Sequence, residues 1–477
     1  MTAPLLHWIG GEAVPPTTGN FRSGTNPATG GAGAQVAQGT AADVDLAVRA
    51  AHAAAPGWRR IASLERGRIL AAIGRRLLAD LDALAELESL DTGKPLALAT
   101  AEIRGAAEYF EFYAALVNLP AGDVLDIQPD LHVYTLREPF GVVGVITPWN
   151  LPLNQAARAC APALAAGNTI VAKPAETTSQ TTVTLARIAS EEGLPPGVFN
   201  VVLGRGDEVG TAIVRHPLVR KVAFTGSVRV GQDIGRIAAD RILPLTLELG
   251  GKSANIVFAD ADLEFAAAEA VRAFTTNAGQ VCSSGTRLLV ERSVQERLVE
   301  ALVAAARRLR PGQDVGPMIT RGQYDTVQRY FAIAAEEGAR TELGGAVVSD
   351  PELDGGFYVE PTIYSGVTNE MRIAREEIFG PVLVVIPFDT EQEAIALAND
   401  SEFGLVGGVF TEDISRAFRV AESIEAGQVY INSWSTQSVQ MPFGGHKQSG
   451  YGREKGIEAL HHYSHVKSVS VRLAPRR

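Results

Sequence analysis

Three polar side chains in the sequence carry the parts of an acyl-transfer centre. Cys282 closes the run Asn277-Ala278-Gly279-Gln280-Val281-Cys282, and a thiolate is a strong nucleophile toward a carbonyl carbon. Glu248 lies upstream in Leu247-Glu248-Leu249-Gly250-Gly251-Lys252, where a carboxylate could take a proton from water. Asn150, in Thr147-Pro148-Trp149-Asn150-Leu151-Pro152, offers an amide N–H to an oxyanion. The ordinary alternative for Cys282 is a buried structural thiol. Against it stand the small neighbours Ser283, Ser284 and Gly285, which suit a loop or helix start that lowers a thiol pKa. The alternative for Glu248 is a helix cap or an ion pair. Cys160, within Ala-Ala-Arg-Ala-Cys-Ala-Pro, reads as helix core. A papain-like hydrolase needs a histidine partner, and none of the eight histidines sits in a motif that suggests one.

The elements that must position these residues form two series. Residues 42–117 read as long helices, with Ile69, Leu70, Ile73, Leu77, Leu78 and Leu81 on one apolar face. From about 140 short apolar strands alternate with helices: strands at 141–146, 168–172, 198–202 and 219–224, helices at 153–166, 179–191 and 207–215. Strands apolar throughout and separated by helices predict a parallel sheet covered on both faces. A second αβ series begins near 254 and runs to about 445, with strands expected at 287–291, 382–386 and 428–432. Segments 130–137 and 466–473 alternate apolar and polar residues, stand apart from both series, and predict strands that pair with another chain.

Several motifs at strand ends suit a nucleotide. Phe224-Thr225-Gly226-Ser227 follows a strand and opens a helix, whose free N–H groups suit a pyrophosphate. Its spacing, G-x-x-x-x-G up to Gly231, by itself marks a structural turn as readily as a ligand site. Gly204-Arg205-Gly206-Asp207 is nearer the dinucleotide fingerprint but one residue too long; it reads mainly as a turn, with Gly206 brushing the adenine side. Lys173 and Glu176 end the strand 168–172, where an ammonium and a carboxylate can bracket a ribose or form a plain surface ion pair.

Taken together, these blocks resemble the aldehyde dehydrogenase superfamily, its hydrolytic branch, over nearly the whole chain. The late blocks Glu376-Glu377-Ile378-Phe379-Gly380-Pro381 and Met441-Pro442-Phe443-Gly444-Gly445 extend the resemblance. It implies a Rossmann-like parallel-sheet cofactor domain (1–119 and 139–249), an α/β catalytic domain (250–447) and a small oligomerisation β-element (120–138 and 448–477). It implies Cys282 as nucleophile, Glu248 as base and Asn150, with the Cys282 backbone N–H, as oxyanion donor. NAD is the implied cofactor, touching Ile146, Thr147, Trp149, Phe224, Gly226, Ser227, Leu249 and Gly250. Lys173 and Glu176 would take the adenosine ribose, Glu377 the nicotinamide ribose, and Phe379 and Phe443 would pack near the nicotinamide. Glu176 would repel a 2′-phosphate, making NADP the poorer cofactor. Leu151 departs from the aromatic residue common after this asparagine, and His446 from a frequent tyrosine. A CoA-acylating dehydrogenase generally lacks the base at 248, and a non-catalytic homologue tends to lose the nucleophile.

Substrate preference is the least legible part. Leu151, Gln155, Arg158, Val281, Ser283, Trp434, Gln437 and Phe443 are the expected pocket residues, forming a mouth more polar than one for simple aliphatic aldehydes. Arg158 would pair with a substrate carboxylate, as its counterpart does in the succinate semialdehyde branch, or serve the structure, the favoured reading. With 477 residues two or more domains are expected, and 46% hydrophobic and 20% charged residues are those of a globular chain. A net charge of −11 argues against nucleic acid as partner. No long apolar run points to a membrane, no signal peptide is evident at the start, and two cysteines are too few for a disulfide framework or a four-cysteine metal site. The expected setting is cytoplasmic, the substrate a small aldehyde, and the assembly a homodimer or homotetramer.

Overall fold

The computed structural model describes residues 3–119, 122–434, 436 and 438–473. The helical region is four helices, Ala41–Arg60, Ser63–Ala79, Leu81–Thr92 and Leu96–Leu116. Thr40 starts the first through a capping box, its backbone N–H donating to Asp43 Oδ2 at 2.8 Å. The expected stripe holds for Leu70, Ile73 and Leu77, all buried. Leu78 departs from it: it is exposed, one step round the helix, and Leu81 begins the next helix.

An eight-stranded sheet carries the first αβ series. Its order is Glu12–Val14, His7–Ile9, Phe199–Val201, Thr169–Lys173, Val142–Ile146, Val219–Thr225, Leu245–Glu248 and Gly450–Tyr451. The five central strands are parallel and the outer pairs antiparallel. The chain leaves Val142–Ile146 toward one side and later returns on the other at Val219–Thr225. That reversal opens a crevice at the carboxyl ends of these two strands. Between strands, residues 206–215 form a short π turn followed by one helical turn rather than a single helix.

A seven-stranded sheet carries the second series, in the order Arg340–Leu343, Thr362–Ser365, Val382–Phe388, Arg287–Glu291, Ala254–Val257, Val406–Phe410 and Gln428–Ile431. All neighbours are parallel except the first pair.

The two alternating segments are strands, Leu131–Pro139 and Ser464–Arg472, but they are not isolated. They pair with each other, antiparallel, from Ser464↔Pro139 to Arg472↔Leu131, and Val124–Leu125 completes a three-stranded sheet. A partner within the chain thus satisfies one edge of each, while the outer edge of Ser464–Arg472 pairs with no strand among the described residues. The stretch before Ser464 belongs elsewhere: Gly450–Tyr451 edges the eight-stranded sheet, and Ala459, Leu460 and Tyr463 lie in the first domain's core. Among the described residues, no helix is long and apolar enough to cross a membrane.

Candidate active site

Asn150 is placed by the helix behind it. Pro152 opens the helix Pro152–Ala165, its fixed φ suited to the first turn, and Glu88 accepts the Leu153 N–H at 3.2 Å. Asn150 therefore stands in the loop between the strand Val142–Ile146 and that helix, buried. Its backbone carbonyl accepts from Lys94 Nζ at 2.9 Å and Asn277 Nδ2 at 3.0 Å. Its own Nδ2 donates to the Gln280 carbonyl at 2.8 Å. An amide nitrogen has two hydrogens, so one donor remains for a ligand.

Cys282 follows a strained turn. Asn277 and Ala278 hold φ of 52° and 54°, a left-handed conformation costing roughly 1–3 kcal/mol per non-glycine residue. Gly279 must be glycine, since a Cβ there would lie 2.1 Å from the Gly380 carbonyl. Gln280 anchors the turn from inside: Nε2 donates to the Asn277 and Pro317 carbonyls at 2.9 and 3.1 Å, and Oε1 accepts the Ile319 N–H at 2.9 Å. Cys282 is half-buried and, contrary to the lowering expected from its small polar neighbours, burial pushes its thiol up to about 11, with Arg158 and Lys455 pulling it back. Cys160 is buried in the first core, as its sequence context predicts.

Glu248 ends its strand with both carboxylate oxygens buried and without a hydrogen-bonding side chain or backbone group. Burial first, then the Glu454 carboxylate, holds its carboxyl well above the usual range, against Arg158, Arg453 and Lys455. Gly444 leaves room for it, because a Cβ there would lie 2.9 Å from Oε1.

One cleft of about 260 Å³ is lined by all three residues together with Trp149, Gln155, Gly226, Ser227, Leu249, Gly250, Glu377 and Phe379. Ser227 caps the helix Val228–Ala239, its Oγ accepting the Val230 N–H at 3.4 Å. Phe224 lies under Gly226, where a Cβ would come 2.5 Å from the ring. Glu377 Oε1 accepts the Gly251 N–H at 3.0 Å, and burial raises its pKa to about 7. Phe379, at φ 57°, meets Trp149 edge to face at 5.4 Å. Further along the carboxyl edge, Ile146 and Thr147 are buried, Thr147 Oγ1 without a partner. Lys173 Nζ donates to the Pro174 carbonyl at 2.9 Å, and burial lowers it to about 8. Glu176 pairs with Arg22 through Oε1 and leaves Oε2 buried and open. Gly206 starts the π turn, exposed. Unpartnered oxygens beside a glycine-lined crevice and a helix N-terminus fit a dinucleotide.

The expected substrate residues divide. Gln155 lines the cleft; Leu151 and Val281 are half-buried beside it in sequence, and Ser283 is buried. Arg158 is buried and its charge is paired with Glu454. Trp434 is not a mouth residue. It is 1% exposed, meets Tyr430 at 5.8 Å, and packs behind Cys282 with Phe443, its backbone N–H donating to Glu269 Oε2 at 2.7 Å. Gln437 lies outside the described residues. Sequence reasoning missed Lys94, Asn277 and Gln280 as supports of the site. Gln280 stood inside a recognised run; Lys94 carried no signal beyond its Gly93-Lys94-Pro95 context.

Comparison with known proteins gives a consistent answer. A model described as the aldehyde dehydrogenase family matches residues 15–469. A betaine aldehyde dehydrogenase of Bacillus subtilis (strain 168) is 44% identical over 471 residues, covering 97% of this chain and 96% of that protein. Betaine aldehyde dehydrogenase from Staphylococcus aureus, solved in complex with NAD+, superposes with a TM-score of 0.97 at 38% identity, over 99% of this chain and 96% of that one. An indole-3-acetaldehyde dehydrogenase complexed with NAD+ gives a TM-score of 0.97 at 39% identity, over 99% and 97%.

Proposed function

Since the chain belongs to the aldehyde dehydrogenase family, we propose that Cys282, Glu248 and Asn150 perform its NAD-dependent oxidation of an aldehyde to the acid. The observation carrying this reading is their convergence on one cleft beside the crevice at the sheet's carboxyl edge. The Cys282 thiolate attacks the aldehyde carbon; a C–S bond forms and the C=O π pair moves to oxygen. The remaining Asn150 amide hydrogen and the Cys282 backbone N–H stabilise that oxyanion. NAD, which Glu377 and the helix N-terminus at Ser227 would hold beside this carbon, would supply the hydride acceptor, and loss of hydride from the carbon would leave an acyl thioester on Cys282. Glu248 then takes a proton from water as its oxygen attacks the thioester; the C–S bond breaks, the thiolate leaves, and the acid is released.

Lys173 and Glu176 would hold the adenosine ribose, with Ile146, Thr147, Gly206 and Phe224 lining the approach. The helix N-terminus at Ser227, with Gly226, would take the pyrophosphate, and Glu377 the nicotinamide ribose beside Trp149, Leu249, Gly250 and Phe379. Phe443 supports the thiol from behind. The glutamate at 176 favours NAD over NADP by repelling a 2′-phosphate. The proposed domains are 1–119 and 139–249 for the cofactor, 250–447 for catalysis, and 120–138 with 448–477 for assembly, the last also lending the strand Gly450–Tyr451 to the first sheet. A homodimer or homotetramer is supported by the outer edge of Ser464–Arg472, which pairs with no strand among the described residues, and by exposed Val466 and Val471. Two free cysteines support a reducing, cytoplasmic setting.

NADH formation with a simple aldehyde, measured with and without CoA, tests the reading. Turnover independent of CoA is expected, because Glu248 supports water as the acyl acceptor. Strict dependence on CoA would replace it with the acylating reaction, and no turnover with any aldehyde would leave a non-catalytic homologue.

A further inference from the structure

Glu176, proposed above to hold the adenosine ribose, is met by a cation from a distant part of the chain. The hairpin of Phe21–Thr25 and Ala32–Ala37 carries Arg22 against it. The Arg22 guanidinium pairs with Glu176 Oε1, while Oε2 stays buried and open. The hairpin is anchored at its far end. The Pro27 carbonyl accepts the Phe357 N–H at 3.0 Å, and a Cβ at Gly30 would come 2.2 Å from the Gly355 carbonyl oxygen. A fixed element therefore presents Arg22.

The other cations around Glu176 are engaged elsewhere. Arg205 is paired with Asp207 at 2.6 Å, so these two charges offset each other. Lys173 is buried, its Nζ donates to the Pro174 carbonyl at 2.9 Å, and burial lowers it to about 8. Arg321 lines the same pocket of about 190 Å³ as Arg22, Glu176 and Thr177. It is bound to Asp325 at 3.0 Å and lies over the Tyr324 ring at 5.5 Å. Thr177 Oγ1, in that pocket, is buried without a partner.

A 2′-phosphate on the adenosine ribose carries close to two negative charges at neutral pH. Beside a bare carboxylate it is repelled. Beside a carboxylate already paired with a guanidinium it meets a nearly neutral pair, and the guanidinium has further N–H donors in a fork that suits phosphate oxygens. Arg22 is half-exposed, so it has room to turn part of that fork outward.

We propose that Arg22 is a cofactor-specificity residue: by pairing with Glu176 it lets the adenosine site accept a 2′-phosphate, so that NADP is used beside a preferred NAD. This rests on the ribose assignment within the dehydrogenase reading, and it limits the discrimination that Glu176 by itself would impose.

Two ligands that need no turnover, AMP and adenosine 2′,5′-bisphosphate, read the site by calorimetry on the intact enzyme. The ratio of kcat/KM with NAD to that with NADP reads it in the reaction. Wild type is expected to bind both ligands, AMP the more tightly. In Arg22→Met the bisphosphate should weaken roughly three- to tenfold more than AMP, and the NAD to NADP ratio should rise by a like factor. Arg22→Lys should keep most of the wild-type ratio, and added salt should shrink the difference between wild type and Arg22→Met. Unchanged ratios in Arg22→Met, or a wild type that binds AMP and refuses the bisphosphate, overturn the proposal while NAD turnover keeps the dehydrogenase reading. The expected binding pattern without turnover of any aldehyde sustains Arg22 in this role and overturns the dehydrogenase reading. Failure of both ligands to bind overturns the ribose assignment and the proposal with it.

Discussion

Glu377 and Gly250 fit together with no space between them: a Cβ at Gly250 would stand 2.2 Å from Glu377 Oε2. The carboxylate is also fixed from below by the Gly251 N–H at 3.0 Å. Gly250→Ala must therefore displace Glu377 from the position proposed to hold the nicotinamide ribose. The expected result is a rise in KM for NAD of at least tenfold, with the melting temperature shifted far less. Unchanged NAD binding in calorimetry would show that Glu377 does not hold the cofactor.

Asn150→Ala removes the free amide hydrogen and the bond to the Gln280 carbonyl. Loss of one oxyanion donor costs on the order of 10²–10³ in kcat. The backbone carbonyl of residue 150 still receives Lys94 and Asn277, so circular dichroism should report a folded protein. Activity within a few fold of wild type would exclude the oxyanion role.

Glu248→Gln keeps the shape and cannot accept a proton. The acyl-enzyme should form and then persist, seen as a burst of NADH followed by slow turnover in stopped flow. A hydride-transfer rate reduced as far as steady-state turnover would mean that Glu248 acts before acylation.

The pH profile follows from two raised groups. The Cys282 thiol is pushed up to about 11, and Glu248 stands well above its usual 4.5. Both react in their deprotonated forms, so those forms are scarce at neutral pH and kcat/KM should climb from neutral into the alkaline range. Stability runs the other way: a carboxyl raised in the folded state stabilises below its unfolded pKa, and that contribution is lost as pH rises through the folded value. A flat profile between neutral pH and about 10 would contradict the thiol's burial.

Deleting the tail from Ser464 onward exposes one edge of Leu131–Pro139 along its whole length and leaves only the short pairing with Val124–Leu125 on the other. Sedimentation of the truncated chain should show monomers or aggregates, and wild type a dimer or tetramer at micromolar concentration. A monomeric wild type would remove the assembly proposal without touching the chemistry.

The parallel strands near 142–146, 169–173, 199–201, 219–225, 287–291, 382–388 and 428–431 were legible as largely apolar runs between turns, whereas Thr362–Ser365 and Val406–Phe410 were not read as strands. Asn150, Glu248 and Cys282 were legible because each stands in a short polar punctuation at a strand or helix end. Trp434 was not. An aromatic among serines and glutamines reads as a pocket mouth, yet the close approach of Gly285 and Gly408 makes a buried slot for it. The hairpin His7–Val14 was missed although Gly10-Gly11, both at positive φ, is the turn signal such a hairpin carries. Lys94 was beyond reach, since its partners Glu102 and the Asn150 carbonyl meet it only once three elements have packed.

The order in which the chain is made gives the last strands a special part. The second sheet is drawn wholly from residues 254–431, so it is able to close while the C-terminus is still being synthesised. The first sheet cannot: its edge at Leu245–Glu248 waits for Gly450–Tyr451, with Glu248 opposite Gly450. Pairing across such sequence distance is slow, and an open strand edge is a route to aggregation in the interval. Lesions near the C-terminus should therefore lower the yield of native protein before they alter any rate constant. Glu248, the side chain assigned to water activation, is set in register by Thr225 on one side and gains its second strand neighbour only when Gly450 arrives.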